Sequence, residues 1–218
     1  MRLVVFDVDG TLIDSQHHIV GAMTTAFHKA GLDPLPREAV LRIVGLSLPV
    51  AVAELTVGHG AAVQARIVEE YRDAFMQARL VQAAPLYPGA LDCLDGLAGR
   101  DDVLLALATG KSRRGVAAMI AAHGLEGRFA SVQTADDHPS KPHPAMLLAA
   151  AADTGIDPAD AVMVGDTSFD MDMAKAAGMA AFGVRWGYHA PDALTASGAA
   201  LVAADFADLG QALERWAA

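Results

Sequence analysis

Asp7 and Asp9 are separated by one residue and followed by Gly10 and Thr11, at the end of the unbroken apolar run LVVF (3–6). So short a run reads as a strand buried on both faces, not as a helix. The two carboxylates then stand where the strand gives way to a loop. Open α/β sheets bind their ligands at the carboxyl ends of the strands. Two carboxylates held there repel each other and lose hydration unless they share a cation. A divalent metal answers both costs, and Gly10 permits a turn tight enough to offer backbone amides to an anion.

Later segments end in the same way. VLLALAT (103–109) stops at Thr109 and is followed by Gly110; AVMVG (161–165) runs into Asp166, Thr167 and Asp170; between them the loop HPSKPHP presents Lys141 between two prolines. If these strands lie beside the first, their polar ends meet at one edge of the sheet, and the set suits phosphoryl transfer. Asp7 is placed to attack phosphorus and form an aspartyl-phosphate, which splits hydrolysis into two steps. Asp9 is placed to protonate the leaving alkoxide and then to deprotonate the attacking water. Asp166 and Asp7 would hold magnesium (Mg2+), a hard cation that takes oxygen ligands. Thr109, the Gly110 amide and Lys141 would hold the phosphoryl oxygens. Asp170 would orient Lys141 or a metal-bound water. Four carboxylates and one lysine cannot hold a dianion unaided, which again calls for the metal.

The apolar periodicity supplies the scaffold. After Asp14 the pattern turns helical for about seventy residues. Ser15 is a candidate N-cap for a helix with Ile19, Met23 and Phe27 on one stripe. Gly31 ends it, Pro36 opens a second helix and Pro49 a third, and Val63, Ile67, Tyr71 and Phe75 mark a longer fourth. No strand intervenes, so 16–83 is expected to be an all-helical insertion, left through the Pro- and Gly-rich APLYPGA. From Gly89 onward helix and strand alternate, with strands expected at 103–109, 130–134, 161–167 and 180–186 and a weak last one at ALVAA. That alternation implies right-handed crossovers. The expected fold is α/β: a doubly wound, Rossmann-like parallel sheet core (1–15 and 84–218) with a small helical cap domain (16–83) inserted after the first strand.

Composition narrows the function. A net charge of −10 argues against a nucleic-acid surface and requires any phosphate site to be locally positive. A single cysteine excludes intramolecular disulfides and a Cys-rich zinc site. No signal peptide pattern and no membrane-spanning apolar stretch is present, so a cytoplasmic protein without membrane or nucleic-acid partners is expected, as a monomer or homodimer. The GKS tripeptide at 110–112 is no Walker A loop, because that motif needs glycine where Leu105 stands. Arg42, in LRIVGLSL, is a candidate clamp for a second anionic group of the substrate, with Gly45 a candidate hinge.

At these residues the chain resembles the haloacid dehalogenase superfamily. DVDGTL (7–12) matches its first motif, Thr109 the second, Lys141 the third and GDTSFD (165–170) the fourth, in order and across the whole chain. The resemblance implies a C1-type helical cap, and Mg2+ held by Asp7, Asp166 and the Asp9 backbone carbonyl, with Asp170 nearby. Within the superfamily Asp9 favours a phosphatase, since displacing halide from carbon needs no leaving-group acid. The AAGM turn after the fourth motif and WGY (186–188) look most like phosphoglycolate phosphatases, although Gly110-Lys111 stands where that group often has Asn-Lys. The implied activity is hydrolysis of a small phosphorylated metabolite. A sugar-phosphate mutase, a pyrophosphatase and a binding protein that keeps only the fold are the alternatives.

Overall fold

The computed structural model describes residues 1–218. Six strands form one sheet: β1 (Arg2–Phe6), β2 (Val103–Thr109), β3 (Ser131–Thr134), β4 (Ala161–Gly165), β5 (Ala180–Val184) and β6 (Leu201–Ala203). They run in the order β3-β2-β1-β4-β5-β6, and every pairing is parallel. The order reverses beside β1, which is where ligands bind in doubly wound sheets. Register then fixes which strand ends meet. Phe6 pairs with Leu107 on one side and with Val164 on the other. Asp7, Thr109 and Asp166 therefore emerge together, one or two residues beyond those rungs.

Alternation along β1 explains why the sheet is covered twice. Val4 and Phe6 face one apolar cluster, built with α5 (Ala90–Ala98), α6 (Arg113–His123) and α10 (Phe206–Ala217). Leu3 and Val5 face another, built with α7 (Ala145–Thr154), α8 (Ser168–Ala177) and α9 (Pro191–Ala196). Both faces are buried, so the central strands carry continuous apolar runs. Two strands are shorter than the runs suggest. β4 stops at Gly165 because Thr167 leaves the ladder to cap α8, and β5 stops at Val184.

Between β1 and α5 lie four helices, α1 (Gln16–Lys29), α2 (Arg37–Leu41), α3 (Leu48–Leu55) and α4 (Ala61–Val81). They enclose their own cluster of nine buried residues, with Met23 and Phe27 packed against Ile67 and Val68. Two crossing segments join them to the sheet: Asp14 N–H donates to the Pro85 carbonyl and Tyr87 N–H to that of Leu12. Ser15 stands at the N-cap of α1, but its hydroxyl caps nothing. No helix is long and apolar enough to cross a membrane.

Leu107 is fully buried at the centre of the sheet, directly beside Phe6. Leu107→Ala should cost about 2–5 kcal/mol of unfolding free energy in a urea titration. A loss well under 1 kcal/mol would show that β2 is not the packed core strand described.

Candidate active site

Each polar group at the sheet edge owes its place to a local device. Asp7 follows β1 directly and is 1% exposed. Asp166 follows β4, and Asp170 sits in the first turn of α8. There the Asp170 carboxylate accepts from the Thr167 N–H (3.0 Å) and hydroxyl (2.7 Å), closing a capping box. The same carboxylate accepts from Lys141 Nζ through its other oxygen at 2.6 Å. Both Asp170 oxygens are thereby engaged, and the group orients the lysine.

Asp7, Asp166 and Asp170 bring ligand oxygens within 4.8 Å of one another, all buried. Lys141 Nζ lies 2.9 Å from Asp7 Oδ1, an ion-pair distance off the hydrogen-bonding direction, so neither Asp7 oxygen has a hydrogen-bond partner. Orphaned buried carboxylate oxygens are costly. Burial pushes the Asp7 carboxyl up to about 6, with the Lys141 charge opposing and Asp170 adding to the rise. Burial, then the charges of Asp170 and Asp7, hold Asp166 well above the ordinary carboxylate range. Burial also works against the Lys141 ammonium, but Asp170 and Asp7 outweigh it and raise its pKa. Hard oxygen donors with unmet valence and surplus negative charge fit a divalent cation.

Asp166 is held on both sides. The Thr11 hydroxyl donates to Oδ1 and the Tyr188 N–H to Oδ2, each at 2.8 Å, while Trp186 Nε1 donates to the Thr11 carbonyl. Gly10 is required here for space: a Cβ on it would lie 2.3 Å from Asp166 Oδ2, and its φ is +86°. Its own N–H, expected to face an anion, instead donates to the Ile13 carbonyl at 3.0 Å. The tight turn consumes that amide, so Gly10 admits the carboxylate and does not bind the anion.

Asp9 stands apart from the metal-type cluster. Ser15 Oγ donates to its Oδ1 at 2.6 Å, and Lys111 Nζ donates to both of its oxygens at 2.8 Å. The Ser15 oxygen also lies 3.2 Å from the Tyr188 hydroxyl. Lys111 sits 4.8 Å from the ring centroid of Phe75 on α4, so one lysine joins the carboxylate to the helical insertion. Neither Lys111 nor Ser15 was among the expected site residues. The sequence shows Lys111 in the GKS tripeptide and in the Gly110-Lys111 pair and Ser15 as a cap, and nothing local signals a partner so far along the chain.

Thr109 is buried at the end of β2, where its hydroxyl accepts from the Lys111 N–H at 3.2 Å. Gly110 has a steric reason to be glycine: a Cβ there would lie 2.6 Å from the carbonyl oxygens of Gly45 and Leu46. The insertion presses on this point, which leaves no room for an asparagine side chain pointing the same way. Arg42 is exposed and does not line the cavity between insertion and sheet; its backbone carbonyl is bound by His189 Nε2 at 3.0 Å. The arginines that do line it are Arg72, Arg79 and Arg114. Arg72 and Arg79 stand on α4 outside its apolar stripe and Arg114 in the first turn of α6, so no local pattern in the sequence joins them to the site.

Residues 4–184 match the family model of haloacid dehalogenase-like hydrolases. The chain is 39% identical over 213 residues to the probable phosphatase IndB of Dickeya dadantii, covering 95% of this chain and 91% of that one. It is 31% identical to a phosphoglycolate phosphatase of Haemophilus influenzae over 216 residues, 95% of this chain and 96% of the other. The solved structure of a hydrolase from Pseudomonas syringae superposes with a TM-score of 0.88 at 25% identity, over 99% of both chains.

The raised Asp7 carboxyl has a measurable consequence for the metal-free protein. Its folded pKa of about 6 exceeds the ordinary 3.8. The folded state therefore keeps a proton that the unfolded chain has released, and stability falls as pH rises across that interval. With a chelator present, Asp7→Asn should melt above the wild type near about pH 8, with the gap narrowing near about pH 5. A gap independent of pH would refute the shift.

Proposed function

The chain belongs to the haloacid dehalogenase-like hydrolases and is a phosphatase of that family; we propose that it is a Mg2+-dependent phosphomonoesterase of a small phosphorylated metabolite, working through an aspartyl-phosphate. The observation that carries this reading is the unlike setting of its two neighbouring aspartates. Asp7 is buried, paired with the Lys141 ammonium at Oδ1 and without a hydrogen bond, which leaves a carboxylate oxygen to attack. Asp9 is tethered by Ser15 and Lys111 at the cavity wall, as an acid/base must be to reach a leaving oxygen.

In the proposed mechanism Asp9 enters protonated, one oxygen released from Lys111 in the substrate complex, and gives that proton to the departing alkoxide while an Asp7 oxygen attacks phosphorus. Asp9 then takes a proton from the water that attacks the aspartyl-phosphate, releasing phosphate and restoring Asp7. Lys141, kept charged and aimed by Asp170, neutralises phosphoryl oxygens, and Thr109 with the Gly110 amide completes the cradle. Asp7 and Asp166 would hold Mg2+, which when bound offsets the charge of the phosphoryl group. Lys111 fixes the Asp9 carboxylate at both oxygens and so sets its aim. Residues 16–83 act as the cap, closing over the core formed by 1–15 and 84–218 and excluding bulk water. The same reading makes this a cytoplasmic enzyme, monomeric or homodimeric, without nucleic-acid or membrane partners.

Asp7→Asn should lower release of phosphate from an aryl phosphate, with Mg2+ present, by at least about a thousandfold while leaving the circular dichroism spectrum unchanged. Near-wild-type turnover in that variant would sink the mechanism. Lys111→Met should lower kcat by about ten- to a hundredfold with a smaller change in KM. An effect confined to KM would assign Lys111 to binding alone.

A further inference from the structure

The cavity above Asp7 and Asp9 has a volume of about 470 Å³. It persists although the insertion already rests on the core on several sides. Ser47 N–H donates to Ser140 Oγ at 2.8 Å, and His189 reaches the Arg42 carbonyl. Arg114 lies 3.1 Å from Met76 Sδ, and the Gly45 and Leu46 carbonyls face Gly110. The space is therefore not the gap of a cap swung open. It falls among the pockets of roughly 300–1,000 Å³ that enclose ligands of drug size. A two-carbon phosphorylated acid would leave most of it empty.

Much of the wall beneath the insertion is apolar. Met23 from α1, Ile43, Val44 and Leu46 from the segment after α2, and Phe75 and Met76 from α4 give the upper part an apolar surface. Methionine and branched aliphatic side chains gain by contact with apolar surface and offer no partner to hydroxyl-rich groups. Charged side chains adjoin this apolar surface: Arg72 and Arg114 are exposed, Arg79 is half-buried and none of the three is in an ion pair, while the exposed carboxylates of Asp73 and Asp136 lie on the same lining. A protein of net charge −10 needs such a positive fringe to draw a phosphate dianion inward.

From this volume and lining we infer that the substrate is a phosphomonoester whose alcohol carries a bulky, largely apolar body the size of a ring system. This inference rests on the phosphatase reading above and narrows it to a class of leaving alcohol. The phosphoryl group goes down to Asp7 and Lys141, the ring-bearing body fills the apolar space beneath the insertion, and the arginines guide entry.

The test compares kcat/KM of the Mg2+-loaded protein, by released phosphate, across two sets of esters. 2-Phenylethyl phosphate, 2-(1-naphthyl)ethyl phosphate and pyridoxal 5′-phosphate form the ring-bearing set; phosphoglycolate and glycerol 3-phosphate form the small one. At least one ring-bearing ester should exceed both small ones by about tenfold or more, since each well-placed apolar group discriminates on that scale. Small esters turned over equally well or better would overturn the inference and leave the phosphatase standing. Release from no ester at all would overturn both. Met76→Trp, which fills part of the cavity, should shrink the ratio of ring-bearing to small-ester kcat/KM by at least about fivefold. An unchanged ratio in a variant that still melts cooperatively would show that the cavity does not select the substrate.

Discussion

Three carboxylates and one ammonium buried together, Asp7, Asp166, Asp170 and Lys141, are the constraint around which the molecule is arranged. Charges of this kind are excluded from a protein interior unless each finds a partner. Every nearby feature supplies one. The capping box at the start of α8 satisfies one oxygen of Asp170 while Lys141 satisfies the other. Thr11 and the Tyr188 N–H do the same for Asp166. Only Asp7 goes without a hydrogen bond, and it is the group on which the proposed chemistry falls.

Such a cluster needs a parallel sheet whose central strands end level with one another. The register of β1 with β2 and β4 provides this, and it depends on strands apolar on both faces, because each strand must be sandwiched between helical layers to be held. Lys141 comes from a loop on no strand, yet it is among the largest fully buried side chains. Its ammonium is buried with the rest of the side chain and is held there by Asp7 and Asp170. Fold and site are coupled there: a shift of α8 would move Asp170, and the lysine with it.

The strands were legible because apolar runs ending in Asp, Thr or Gly-Asp are local patterns, and Asp7, Thr109 and Asp166 stand at their ends; their order in the sheet is set by pairings across the chain. The helical insertion was legible for the same reason, since seventy residues carried helical spacing without a strand. The links across the chain were not. Ser15 looks like a cap by its position, but its hydroxyl serves Asp9, and Lys111 reaches the same carboxylate from more than a hundred residues away. Gly10 shows the opposite failure. Its positive φ was readable from the tight turn, but the turn that needs the glycine also consumes its amide. Of the cavity arginines, Arg72 and Arg79 lie on α4, whose periodicity reveals the face turned to its own core and not the one turned to the sheet, while Arg114 lies in the first turn of α6.

Charge balance links the two halves of the site. Asp9 and Lys111 form a neutral pair at the cavity wall, whereas the deeper cluster carries more carboxylates than Lys141 can offset. A phosphoryl dianion meeting that deeper cluster would be repelled, and a divalent cation, if held by Asp7 and Asp166 as proposed, would remove the repulsion. The neutral pair needs no such help, so its lysine is free to serve geometry. Because Lys111 also lies over Phe75, the aim of Asp9 depends on how α4 sits above the sheet. The helical insertion thus meets the partner of the proposed acid/base where Phe75 lies against Lys111, and its seating bears on the proposed chemistry as well as on which alcohol is admitted.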